Sequence, residues 1–216
     1  MAAAAAWWIG WHTLTAPALG AAAGVLVLAA YTAAIVRPPA HVTAWRSGAV
    51  GEQATARLLR PLARQGAVVL HDRAVPRSKA NIDHLTIGPR TVAAVDSKQW
   101  QMHGARVVLG RDGTLWYGNP KGQQYPQART VATVQWAARR AAEELTRATG
   151  RAVTVIPVMA IHGATVARRG HLVVNGVHVV QARRLRRLLR RLPGTLTTED
   201  IRRLAEAAER ALPTAH

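Results

Sequence analysis

The chain has 216 residues, 29 of them lysine or arginine against 11 aspartate or glutamate, which gives a formal net charge of +18 at pH 7. With 49% hydrophobic residues it has material for a core, which excludes a wholly disordered chain, and the absence of cysteine excludes disulfides and thiolate zinc sites. So large a positive excess favours a polyanionic partner, nucleic acid ahead of anionic lipid, through phosphate neutralisation and counterion release.

Residues 1–36 contain no Asp, Glu, Lys or Arg. From Pro17 to Val36 the chain is apolar over about twenty residues, the length of a membrane-spanning helix. Arg37, Pro38 and Pro39 end that run, and Trp7, Trp8 and Trp11 suit a membrane interface. A signal peptide has a basic leading region and a shorter apolar core, and neither is present. Residues 17–36 are therefore predicted to anchor the chain in the cell membrane as a single pass. Arg37, Arg46 and the basic body behind them put the C-terminal part on the cytoplasmic side. The expected organisation is an anchor and juxtamembrane start over 1–39, a linker over 40–46, a folded domain over 47–181 and basic helices over 182–216.

A helix is predicted from Ser47, with Ala49, Val50, Ala54, Leu58, Leu59 and Leu62 on its apolar stripe. Strands follow at 67–72, 82–87 and 91–98, with the turn signal Gly88-Pro89-Arg90 between the last two. Shorter strands near 105–109 and 114–117 flank the hairpin turn Asp112-Gly113. A long helix fits 127–148, with Val131, Val134, Ala138, Ala142 and Leu145 on one side. Ala152 to Ile161 reads as a buried strand. Asn175-Gly176 joins two short strands near 171–174 and 177–180, and helices near 182–192 and 198–211 finish the chain, Thr197 or Thr198 capping the second. This order predicts an α/β fold with a mixed sheet flanked by helices.

The chemistry centres on Asn81-Ile82-Asp83-His84-Leu85 and Val95-Asp96-Ser97-Lys98. Side chains alternate along a strand, so Asp96 and Lys98 share a face, and a tight turn brings Asp83 beside them. Asp83 and Asp96 each interrupt an apolar run, where an unpaired carboxylate is costly to bury. Among 29 basic residues only Lys79, Lys98 and Lys121 are lysines. Two carboxylates and an ammonium suit metal-assisted hydrolysis of a phosphodiester. Asp83 and Asp96 would ligate Mg²⁺ or Mn²⁺, which prefer hard oxygen donors, and Lys98 would face the charge that develops on phosphate. Glu52, early in the first helix, has two readings: a helix-start acid favoured by the macrodipole, or a fourth member of the group. His84 reads as a structural or solvent-facing histidine.

These blocks together resemble the nuclease-related domain (NERD) family, a branch of the PD-(D/E)xK restriction-endonuclease-like nucleases. The resemblance covers about residues 47–145 and rests on Gly48-x-x-Gly51-Glu52, Ile82-Asp83-His84-Leu85 with Ile87-Gly88, Val95-Asp96-Ser97-Lys98-Gln99-Trp100, then Asn119-Pro120 and Gln127-Ala128. It implies a restriction-endonuclease-like three-layer core, a helix-borne catalytic Glu52, a metal-ligand Asp83, the acid–lysine pair Asp96 and Lys98, and a downstream glutamine at Gln127, with Gln124 second. Asp96 stands where such proteins more often have Glu, Ser97 where they have an apolar residue, and Gln99 where Asn is common.

Arg183, Arg184, Arg186, Arg187, Arg190 and Arg191 alternate with leucines in a basic amphipathic helix. Of these, Arg183, Arg184, Arg187, Arg190 and Arg191 are the expected phosphate contacts for nucleic acid, DNA ahead of RNA; a bed of anionic lipid is the rival, and so is a plain solvated face. The chain is thus expected to be a membrane-anchored, divalent-metal-dependent endonuclease. The alternative is a non-catalytic, membrane-tethered nucleic-acid-binding or scaffold module on the same fold.

Overall fold

The computed structural model describes residues 22–32 and 40–215, which divide into two compact units, Met1–Trp45 and Arg46–His216. In the first unit, residues 22–32 are helical and exposed throughout. Among the described residues no helix is long and apolar enough to cross a membrane. The rest of the span expected over 17–36, with Trp7, Trp8 and Trp11, lies outside the described residues.

Helix α1 runs Ala40–Ala63, so the stretch 40–46, expected as a linker, is helical. Nothing in Ala40–Arg46 breaks a helix, and prolines are tolerated immediately ahead of one. Over residues 48–63 of α1 the buried residues are Gly51, Thr55, Leu59 and Leu62, while Val50 is 55% exposed. The stripe is rotated from the predicted one because the helix seats its glycine and threonine, rather than Val50, against the sheet.

Six strands form the main sheet in the order β1–β2–β3–β7–β10–β9: β1 Val68–Ala74, β2 Asn81–Ile87, β3 Val92–Gln99, β7 Val155–His162, β9 His171–Val174 and β10 Val177–Gln181. β1, β2 and β3 are antiparallel neighbours, β3–β7 and β7–β10 are parallel, and β9 closes one edge antiparallel to β10. The parallel step from β3 to β7 needs a crossover. It passes through β4 Arg106–Leu109, β5 Leu115–Gly118, β6 Gln124–Pro126 and helix α2 Ala128–Thr149. β4, β5 and β6, with β8 Thr165–Val166, make a small second sheet. The short β6 and β8 carry too little pattern to be read from sequence. Asn175 and Gly176 both take positive φ, as a two-residue hairpin turn between β9 and β10 requires.

Helices cover both faces. α2 and the last helix, α4 (Thr198–Ala211), pack Ala138, Ala141, Leu145, Leu204 and Ala208 against Leu85, Ile87, Val92 and Ala94. On the other face α1 and a short α3, Leu185–Leu189, pack Leu59, Leu62, Leu185 and Leu189 against Ala93, Val95, Val158 and Ala160. Strand alternation therefore sorts β3: Ala94, Asp96 and Lys98 face α2, and Ala93, Val95 and Ser97 face α1. Thr197 caps α4 in a reciprocal capping box with Asp200. The result is the expected α/β arrangement, a mixed sheet between helices.

Candidate active site

β2 and β3 pair in register from Ile87↔Val92 to His84↔Val95, and there the ladder stops. One further step would set Asp83 opposite Asp96, a like-charge pair that disfavours continued pairing. Asp83 instead turns its carboxylate onto β3, where Oδ2 accepts the Ser97 backbone N–H at 2.7 Å. The two strands open at that point, and a small cleft forms between them and α2, lined by Asn81, Asp83, Asp96, Thr133 and Ala137.

Lys98 Nζ donates to Asp96 Oδ1 at 3.0 Å and lies 2.8 Å from Oδ2. Oδ2 is itself buried with no hydrogen-bond partner, because its contact with the ammonium lacks hydrogen-bond alignment. Burial, followed by the charge on Asp96, pushes Asp83 up to about 7; the Ser97 N–H and Lys98 only partly oppose this. Burial also raises Asp96, against Lys98. For Lys98, burial pulls the ammonium down, but Asp96, Asp83 and Glu52 outweigh it and hold it above its ordinary range. Asp96 is thus ion-paired through both oxygens with Lys98, while Asp83 has the Ser97 N–H as its hydrogen-bond partner.

Glu52 reaches this group because of Gly51. A Cβ on Gly51 would stand 3.2 Å from Gln99 Cβ, so the bare backbone lets α1 lie against the end of β3. Burial, then the charges on Asp72 and Asp96, raise the Glu52 carboxyl. Of the two sequence readings, the helix-start acid does not hold, because α1 begins at Ala40 and Glu52 stands in mid-helix, where it couples electrostatically to Asp83, Asp96 and Lys98.

Asp72 was missed. It takes φ 47° in β1, between the pairs His71↔His84 and Arg73↔Ile82, which leaves it across from Asp83 but outside the ladder. Asn81 Nδ2 holds its Oδ1 at 2.8 Å. A carboxylate in mid-strand at a non-glycine positive φ marks local strain near a site. His71-Asp72-Arg73 carries no sequence signal beyond an acid on a strand.

Gln127 stands apart. It caps the start of α2, where its Oε1 accepts from Thr130 Oγ1 at 3.0 Å and its Nε2 donates to the Tyr125 carbonyl at 3.3 Å. Among the described residues it makes no hydrogen bond to Asp83, Asp96 or Lys98. Gln124 is exposed on β6, donating to the Pro120 carbonyl at 3.4 Å. His84 is buried, as a structural histidine, with Nδ1 2.7 Å from His71 Nδ1. Burial and then the His71 ring push it down to about 4. Beneath α1, Ser97 Oγ donates to Thr55 Oγ1 at 2.9 Å, and Thr55 Oγ1 lies 2.8 Å from His162 Nε2. This chain ties α1 to β3 and β7 one helical turn beyond Glu52.

Residues 47–162 match the nuclease-related domain, NERD. The chain belongs to the NERD family. No curated protein and no solved structure matched the chain. The matched span contains every NERD-like block, Glu52, Asp83, Asp96, Lys98 and Gln127 included, and ends with β7. The arginines of residues 183–191, spread over a 3-10 turn, α3 and the turn after it, lie beyond the match and on the other face of the sheet. Their concavity is lined by Arg183, Arg186, Arg187, Arg190 and Arg191. Arg183, Arg187, Arg190 and Arg191 of the expected set thus lie together with Arg186, while the Arg184 stem lies against Gly170.

Asp83 and Asp96 offer hard carboxylate oxygens on opposed strands, the donor type that Mg²⁺ and Mn²⁺ take, with Asp96 ion-paired to Lys98 and one Asp83 oxygen held by the Ser97 N–H. Among the described residues no three of His, Cys, Asp and Glu gather closely enough to hold an ion by themselves.

Proposed function

We propose that this chain is a divalent-metal-dependent nuclease acting on DNA in preference to RNA. The observation that carries the reading is the Asp83–Asp96 pair, opened by the broken ladder and set beside Lys98, in a NERD domain. Asp83 and Asp96 would hold the cation, which would supply charge neutralisation and water activation. Lys98 keeps its proton near Asp96 and stabilises charge that develops on the phosphoryl oxygens. Glu52, its carboxyl raised by burial and by the charges on Asp72 and Asp96, holds or accepts a proton near Asp96 and Lys98. The Ser97 N–H fixes the Asp83 carboxylate, so its orientation precedes substrate binding. Net charge of +18 supports backbone-driven binding of low sequence specificity.

The test is cleavage of duplex DNA, single-stranded DNA and RNA by the full chain with Mg²⁺ or Mn²⁺, beside Asp96→Ala and Lys98→Ala. Variants that cut as fast as the parent refute the site. Binding that survives chelator, with no cleavage under either metal, establishes instead the non-catalytic module. Residues 17–36 would tether the domain to the cytoplasmic face of the cell membrane, on the strength of their uncharged apolar sequence. Recovery of the full chain in the supernatant after alkaline extraction of membranes refutes the tether.

A further inference from the structure

The arginine concavity of α3 has no counter-charge. Among the described residues none of Arg183, Arg186, Arg187, Arg190 and Arg191 is in an ion pair; carboxylates pair instead with Arg77, Arg140, Arg147, Arg202, Arg203 and Lys98. Leu185, Leu189 and Leu192 are buried beneath them against α1 and the sheet, so the helix cannot turn its guanidiniums elsewhere. Arg190 is steadied by a 2.8 Å hydrogen bond to Gln65 Oε1. Five cations without a paired carboxylate among the described residues, gathered around one hollow, favour an extended anionic surface.

Two features choose among such surfaces. Next to the arginines, and sharing Arg190, is a largely apolar cleft lined by Leu62, Ala67, Pro89 and Leu189. Cations bordering an apolar slot match an amphiphile, a charged headgroup above hydrocarbon. The surface is also remote from the acid pair. It lies on the α1 face of the sheet, whereas Asp83 and Asp96 face α2. The shared cleft reaches the Gly88–Thr91 turn, roughly 17 Å along β2 and β3 from the acids at strand rise. A polynucleotide seated on the acids meets these arginines only by wrapping around the sheet. The same chain carries a second membrane-compatible feature in the exposed apolar residues Val25, Leu26, Val27 and Leu28.

We infer that the concavity of Arg183, Arg186, Arg187, Arg190 and Arg191 docks on anionic lipid headgroups at a bilayer surface. The inference stands whether or not the acid pair cuts. It is tested by arginine-selective dicarbonyl footprinting of the full chain, read by mass spectrometry in chelator. The chain is mixed with phosphatidylcholine vesicles, with the same vesicles containing phosphatidylglycerol, or with duplex DNA. Each guanidinium at an anionic leaflet adds roughly fivefold to partitioning. Modification of residues 183–191 should therefore fall several-fold on the anionic vesicles alone, and high salt should restore it. Equal modification on both vesicle types overturns the inference. Protection by DNA but not by anionic vesicles also overturns it, and makes the concavity a second polynucleotide surface.

Discussion

Replacing Asp83 with Asn should stabilise the protein while removing its cation site. In the native state the Asp83 carboxyl titrates near 7 instead of 3.8. Between those values the native state binds more protons than the unfolded chain, so stability falls as pH rises through about 4 to 7. At about 1.4 kcal/mol per pH unit, the charged Asp83 costs up to about 4 kcal/mol above pH 8. Asn can turn its single amide oxygen to the place of Oδ2 and accept the Ser97 N–H, but its NH₂ must find its own partner, so the net gain should be nearer 2 kcal/mol. The assay is urea unfolding of the full chain and of Asp83→Asn in chelator, at about pH 4 and pH 8, and again with Mg²⁺. The variant should be the more stable form at the higher pH only, and only the parent should gain from Mg²⁺ by mass action. A variant no more stable at pH 8, or one stabilised equally at pH 4, refutes the account of Asp83 as an unsatisfied buried charge.

Lys98→Ala should slow cleavage roughly a hundredfold or more while leaving DNA affinity in chelator little changed, which separates transition-state stabilisation from substrate binding. Thr55→Val strands Ser97 Oγ and His162 Nε2 beneath α1 and should cost about 1–3 kcal/mol in urea unfolding. An unchanged unfolding midpoint would show that this hydrogen-bonded chain contributes nothing. Gly51→Val forces a side chain into Gln99 and should push Glu52 away from the acids, lowering cleavage on the order of a hundredfold. The check is full activity in Gly51→Val, which would remove Glu52 from the mechanism.

Much of the molecule is set by local rules. The strands β1, β2, β3, β9 and β10 and helices α2 and α4 follow from apolar periodicity, from the Asn175-Gly176 turn and from the Thr197 cap, since each depends on residues within a few positions. Asp96 and Lys98 share a face for the same reason. The rotated stripe of α1 is not local: Thr55 is buried and Val50 exposed because the helix is seated by Gly51 against Gln99, a contact between distant segments.

The sequence by itself determined the strand-borne Asp83, Asp96 and Lys98, the excess of positive charge and the uncharged N-terminal run, because residue type and alternation suffice for these. Only the tertiary structure decided that the β2–β3 ladder stops short of Asp83, that Ser97 supplies its hydrogen bond, and that Asp72 and Glu52 raise the local negative charge. It also decided that Gln127 is held by its own turn and that the α3 arginines lie across the sheet from the acids. Each of these depends on which face of a buried sheet an element covers, a choice made by packing between segments far apart in the chain.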